Sequence, residues 1–217
     1  MSSVVDICNM ALGNIHASSI NSLTEASLEA QQCKLRWPYA RKAVLRDAPW
    51  NFARTVVAMA LTTHEPQLWN YAYRYPVNCL KAGYIPQAFT FRTAEVDGLV
   101  TRPRYEELQV PPERRVPYEV GLIDGDKVVL TDEPEAHLVY LQDIEDPNLY
   151  DSQFIIMASH YLASAIAVPI IGGDRGRKMK SDEMELYRIA RSQAQATNAN
   201  ERHRQREPES QFVTGRD

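Results

Sequence analysis

The stretch from Phe154 to Ile171 constrains the fold more than any other. It reads FIIMASHYLASAIAVPII, apolar except for His160, two serines and Pro169. It is too long for one strand and short for a membrane span, so it reads as a helix that the rest of the chain must cover. Asp151 stands ahead of it as an N-cap. Phe154, Met157, Ala158, Tyr161, Leu162, Ala165 and Ile166 form a broad stripe at helical spacing. Its alanines and serines admit a second helix at close range. Pro169 and Gly172-Gly173 are expected to end it.

Three other segments carry the same period. From Ser3 to about Gly13, Val4, Ile7, Cys8 and Leu12 share a face, and Ser3 with Asp6 resembles a capping box. A second helix is expected from Ser27 to about Asp47, with Ala30, Cys33, Trp37, Ala40 and Val44 inward and a kink or break at Pro38. A last one is expected to be capped by Ser181, with Asp182 and Glu183 at its N-terminal end and Met184, Tyr187, Ala190 and Ala194 as a thin stripe. After Thr197 the chain is polar, as a disordered tail would be.

The middle of the chain has another character. RTVVAMALTT favours a strand through its β-branched residues, and WNYAYRYP alternates large and small side chains. Residues 83–117 are rich in proline and charge and read as a long exposed loop or arm. VPYEVGLI, KVVLTDEP and AHLVYLQDI then read as a meander with Asp124-Gly125 as its hairpin turn. The fold class is therefore α+β: a helical bundle of N- and C-terminal helices with an inserted antiparallel β-rich domain. Residues 1–52 and 151–197 supply the two halves of the bundle, 53–150 the β-rich part and 198–217 the tail.

The chemistry-bearing residues are scattered. Twenty-four basic against twenty-eight acidic residues give a formal charge of −4, which argues against a protein that coats nucleic acid. Cys8, Cys33 and Cys79 form no CxxC pair, so neither a disulfide framework nor a zinc site is expected, and a reducing cytoplasm suits them. MSSVVDICNMALGNIH has no basic segment ahead of an apolar run, so no signal peptide is expected. His16, His64, His137, His160 and His203 show no HExxH spacing, and His160 reads as a hydrogen-bonded core or interface residue. Gly172-Gly173-Asp174-Arg175-Gly176 follows a helix rather than a strand and reads as a helix connection, not a phosphate loop. Asp143, Glu145, Asp146 and Asp151 read as a solvated loop and helix cap. Neither a catalytic site nor a cofactor or metal site is expected, and the chain is not expected to be an enzyme. Trp50, Phe52, Trp69, Tyr71, Tyr73 and Tyr75 are expected to be a structural aromatic joint between helices and strands. The alternative is a nucleic-acid-binding module in which these rings stack on bases. A third reading makes the Asp143–Asp151 cluster the site of an enzyme.

Taken together, certain residues resemble a family. Pro49-Trp50-Asn51-Phe52-Ala53, Trp69-Asn70-Tyr71-Ala72-Tyr73-Arg74-Tyr75-Pro76 and Cys79-Leu80 are followed by Tyr118-Glu119-Val120, Leu130-Thr131-Asp132, Tyr140 and an alanine-rich helix after Asp151. From residue 2 to about 195 the chain resembles the tail tubular protein A family, the head-to-tail adaptors of tailed bacteriophages. The resemblance implies a dodecameric ring below the phage portal protein. It also implies a distal tail or nozzle protein as a second partner, genomic DNA passing through the channel without sequence-specific binding, and no membrane. It implies a virion neck location after assembly in the host cytoplasm. On that reading Arg202, Arg204, Arg206, Phe212 and Val213 are expected to dock on the portal. Tyr161, Ala165, Met184 and Tyr187 are expected at the ring interface.

Overall fold

A computed structural model describes residues 3–86 and 115–200. The fold is α+β. Helices α1 (Val4–Asn14) and α2 (Leu28–Asp47) come first. Seven strands follow: β1 (Arg54–Ala58), β2 (Tyr71–Arg74), β3 (Cys79–Pro86), β4 (Arg115–Val116), β5 (Tyr118–Ile123), β6 (Asp126–Thr131) and β7 (His137–Gln142). Helices α3 (Ser152–Ile171) and α4 (Gly173–Asn200) close the order.

The apolar stretch is α3, and α1, α2 and α4 all pack on it. Ile7 and Leu12 of α1, Val44 and Leu45 of α2, Phe154 and Leu162 of α3 and Tyr187 of α4 share its core. Among the described helices α3 alone is long and apolar enough to cross a membrane, and half of it is buried inside the protein. Ser3 accepts the Asp6 N–H at 3.1 Å, and Asp6 accepts the Ser3 N–H at 2.8 Å, closing the capping box that the sequence signals. Those contacts with Ser3, backbone first, hold the Asp6 carboxyl below its usual range.

Neither Pro38 nor Pro169 breaks its helix. α2 runs unbroken through Pro38. Pro38 faces solvent, where water can satisfy the carbonyl that its ring leaves without a donor. α3 likewise runs through Pro169 and ends at Gly172, whose φ of 72° and N–H to the Val168 carbonyl (2.9 Å) make the turn. α4 begins at Gly173, so Ser181 lies inside a helix and caps nothing. An early start requires close approach. A Cβ on Gly176 would stand 3.0 Å from the Ala167 carbonyl oxygen and 3.2 Å from the Val168 Cα. Gly176 therefore lets α4 leave the turn directly against α3. The helix also passes Thr197 and reaches Asn200.

The strands form two antiparallel sheets, β1-β7-β3-β4 and β2-β6-β5. The β5–β6 hairpin turns at Asp124 (φ 53°) and Gly125 (φ 89°), the left-handed pair that a two-residue turn of this hand needs. The expected meander stops there. β7 leaves β6 and lies between β1 and β3 of the other sheet. Its four central residues, Leu138 to Leu141, are all buried, and both sides of β6 are already taken by β2 and β5. Tyr140 and Leu138 face the core between the sheets, whereas Leu141 joins the helical core. The Tyr73 hydroxyl fixes the crossing by donating to the Glu133 carbonyl (2.8 Å) and accepting the Ala136 N–H (3.3 Å). The expected loop over 83–117 is also trimmed, because β3 runs to Pro86 and β4 begins at Arg115. β3 is held by pairing with β7 rather than by any pattern of its own. The rest of that loop lies outside the described residues.

Candidate functional site

The acidic cluster is not one solvated loop. Arg41 of α2, 6% exposed, reaches the segment after β7. Its Nη2 lies 2.8 Å from Oδ1 and 2.9 Å from Oδ2 of Asp143, and only the second contact has hydrogen-bond geometry. The same nitrogen donates to Glu145 at 2.9 Å, and Lys42 Nζ stands 3.5 Å from Asp143. Asp143 is thus a nearly buried anion held by cations, against the expectation of solvation. Asp146 and Asp151 do serve as caps. They accept the Asn148 and Gln153 N–H groups at 3.0 and 2.7 Å. The sequence offered no sign of Arg41, which stands 102 positions from its partner.

A second polar centre joins three helices. His160 Nδ1 lies 2.8 Å from Oε2 of Glu183, and Asn14 Nδ2 lies 3.3 Å from both groups. Glu183, read as a helix-terminal charge, is instead 6% exposed and bound to α3. Among the described residues no group of three or more His, Cys, Asp or Glu is arranged to hold a metal ion.

The four residues expected at a ring interface split. Tyr187 is 4% exposed: its ring meets Tyr161 edge-on at 5.2 Å and its hydroxyl donates to Asp47 at the end of α2. Tyr161 and Met184 are half-buried against the same core, and Ala165 is also half-buried. Of the four, Tyr187 is thus spent inside the chain, and the other three keep part of their surface. The residues expected to dock on a portal, Arg202, Arg204, Arg206, Phe212 and Val213, lie outside the described residues.

The aromatic set divides into two groups. Trp50 and Phe52 pack with Phe154 and Tyr150 in the helical core. Tyr71, Tyr73 and Tyr75 belong to the core between the sheets. Trp69 is in neither: half-exposed, it donates from Nε1 to Glu119 at 3.3 Å. Trp50 and Tyr73 are 2% and 1% exposed, so no base can stack on them.

Cys8 and Cys33 meet in the helical core, a pair that no spacing announces. The hydrogen bond to Cys33, together with burial, holds the Cys8 thiol far above its ordinary value and therefore neutral. Burial also raises Cys79, Tyr118 and Tyr140. It raises Tyr75 and Tyr187 further and pushes Tyr150 up to about 12. In the unfolded chain these phenols ionise near 10. Above that pH the unfolded state sheds protons that the folded state keeps, so stability falls as pH rises. We expect urea midpoints to begin falling from about pH 8.5, where thiols of the unfolded chain ionise, and to drop further from about pH 10 with the phenols, the Tyr150 share being gone by about 12. A midpoint constant to pH 11.5 would contradict the burial of these hydroxyls.

Exposed apolar side chains are spread over several elements, among them Val77 after β2, Ile156 and Val168 on α3, and Leu186 and Ile189 on α4. Leu28, Leu35 and Tyr39 lie along the outside of α2, and Val120 and Leu122 lie on β5 beside the hairpin turn. Leu61 and Leu68 are exposed in the connection between β1 and β2. That connection is strapped to the β2-β6-β5 sheet by Trp69 and by His64, which lies 3.3 Å from Asp124 and 3.2 Å from Asp126. No protein-family model matches this chain, and comparison with curated proteins gives no match either.

Proposed function

We propose that the chain is a structural protein of a tailed bacteriophage: a head-to-tail adaptor whose copies form a ring, dodecameric by resemblance, below the portal. The four helices form its bundle and the two sheets its inserted β-rich domain. The ring extends the DNA channel and offers a platform to a distal tail or nozzle protein. It has no catalytic step, takes no cofactor, works in the virion neck and assembles in the host cytoplasm.

One observation carries this reading beyond the resemblance in the motifs. Arg41, Asp143, His160, Glu183 and Tyr187 are committed to internal pairs, whereas large apolar side chains stand outside on α2 and on the β5–β6 hairpin. Chemistry turned inward and contact surface turned outward is the disposition of a building block. Base stacking finds no support in rings as enclosed as Trp50 and Tyr73.

The test is a mass measurement of the full chain alone and mixed with a portal ring of its own phage. A stable complex with portal is expected, and deletion of residues 198–217 is expected to abolish it while leaving the circular dichroism spectrum unchanged. Failure of the full chain to bind portal would refute the adaptor reading. Binding that survives the deletion would refute the docking role of the tail.

A further inference from the structure

We propose that Cys8 and Cys33 are the two halves of an oxidisable staple, a site at which a small-molecule disulfide such as oxidised glutathione joins α1 to α2 covalently. The staple is a property of the single chain and does not depend on the adaptor reading. The two thiols stand 25 positions apart on different helices, and both are 0% exposed. They belong to one core and are in hydrogen-bond contact there. Cys79, the remaining thiol, packs against the other core beside Tyr75. Three thiols thus give one pair within reach.

A disulfide needs backbones that approach closely, with Cα atoms about 4.4–6.8 Å apart. The flanking residues favour that approach. Ala11 lies about one turn after Cys8 and Ala30 about one turn before Cys33, both fully buried. Burial slows the reaction without forbidding it. α1 is 11 residues long and brings only Ile7, Cys8, Ala11 and Leu12 fully into the core. In the connection that follows, residues 16–27, Ile20 alone is buried. α1 can therefore lift away as a unit at less cost than global unfolding. With α1 lifted, one cysteine thiolate attacks a sulfur of oxidised glutathione and expels one glutathione thiolate. As α1 returns, the second cysteine gives up its proton and displaces the other glutathione. Two cysteine S–H bonds are lost and one S–S bond forms in the protein. Oxidised glutathione takes up the two electrons and two protons and leaves as two reduced molecules. The closed loop restricts the unfolded chain, so the stapled form is the more stable.

The test uses the full chain, incubated with oxidised glutathione at about pH 8, where thiolate is available. It is then alkylated and digested without reduction. Peptides linked through Cys8 and Cys33 are expected, with Cys79 alkylated and the intact mass lower by about 2 Da, the two hydrogens lost. In urea the folded-to-unfolded ratio of the product should exceed that of the reduced chain about tenfold or more, and dithiothreitol should reverse the gain. Cys79→Ser protein should behave as the parent does in both measurements. Cys8→Ser and Cys33→Ser proteins should form no link and gain nothing. The parent and Cys79→Ser decide the matter even where a serine in the core prevents folding. A folded parent that stays reduced, links through Cys79 or stops at a glutathione adduct would overturn the proposal. A linked product no more stable than the reduced chain would do the same.

Discussion

Replacing Asp143 with alanine should lower the stability of the protein by about 3 kcal/mol or more. The Arg41 side chain is 7% exposed, and its Nε has no partner. Asp143, itself 14% exposed, is the anion that compensates it. Glu145 also touches Arg41, but its side chain is 76% exposed and its attraction is screened by water. Without Asp143 the guanidinium stays in the interior with Glu145 as its remaining carboxylate partner. Asp143→Asn should cost less, because it keeps an acceptor for Nη2 while losing the charge. Arg41→Met together with Asp143→Leu should cost less than either single truncation, since neither variant group then needs solvation. Urea unfolding followed by circular dichroism reads all four proteins. An Asp143→Ala midpoint equal to that of the parent would show that the pair contributes nothing. The loss should be felt at the joint. Asp143 also donates its N–H to the Asn78 carbonyl, and Gln142 donates its N–H to the Ala53 carbonyl, at 2.8 Å each. The Arg41 pair thus ties the end of β7 to α2 and fixes where the sheets sit on that helix.

What the sequence disclosed was local. The Ser3–Asp6 box, the Asp151 cap and the Asp124-Gly125 turn each close a hydrogen bond or set a dihedral within a few residues, so a short window holds the whole cause. The α+β class followed from the contrast between period-3.6 ends and a β-branched middle. Errors arose where a distant partner decided the matter. Asp182-Glu183 after Ser181 carries a sound start signal, yet Glu183 is bound to His160 on the neighbouring helix and lies inside α4, which begins at Gly173. KVVLTDEP followed by AHLVYLQDI looks like two legs of a hairpin, but β2 and β5 occupy both sides of β6, and β7 pairs with β1 and β3 of the other sheet. The candidate surfaces were harder still. Tyr187, expected at a ring interface by the resemblance, is enclosed by Tyr161 and Asp47, partners 26 and 140 positions away that no local pattern announces. Leu28, Leu35 and Tyr39 stand on the side of α2 opposite Ala30, Cys33, Trp37 and Val44, where the inward period of the helix carries no information.

Truncating Trp50 to alanine should cost about 3–5 kcal/mol, whereas the same change at Trp69 should cost under about 1 kcal/mol. The two indoles flank the same strand-like run and look equivalent in sequence, so the contrast isolates the effect of position. Trp50 is 2% exposed, with its ring edge-on to Phe154 at 5.4 Å and tilted against Phe52 at 5.7 Å. Its Nε1 donates to the Val44 carbonyl at 3.0 Å. Val44 lies in the last turn of α2, whose carbonyls have no partner within the helix. One side chain therefore fills the space between α2 and α3 and satisfies a buried helix end. Trp50→Phe separates the two roles. It keeps much of the ring contact and orphans the Val44 carbonyl, so its cost should be about 1–3 kcal/mol, the penalty for a buried acceptor left unpaired. Trp69 has one polar contact, to Glu119, in half-exposed surroundings, and its removal should loosen only the strap across the β2-β6-β5 sheet. Urea midpoints of the three variants decide the order. If Trp69→Ala proved the more damaging change, the strap rather than the helical core would be the element holding the two halves of the chain together, because only the strap depends on that indole.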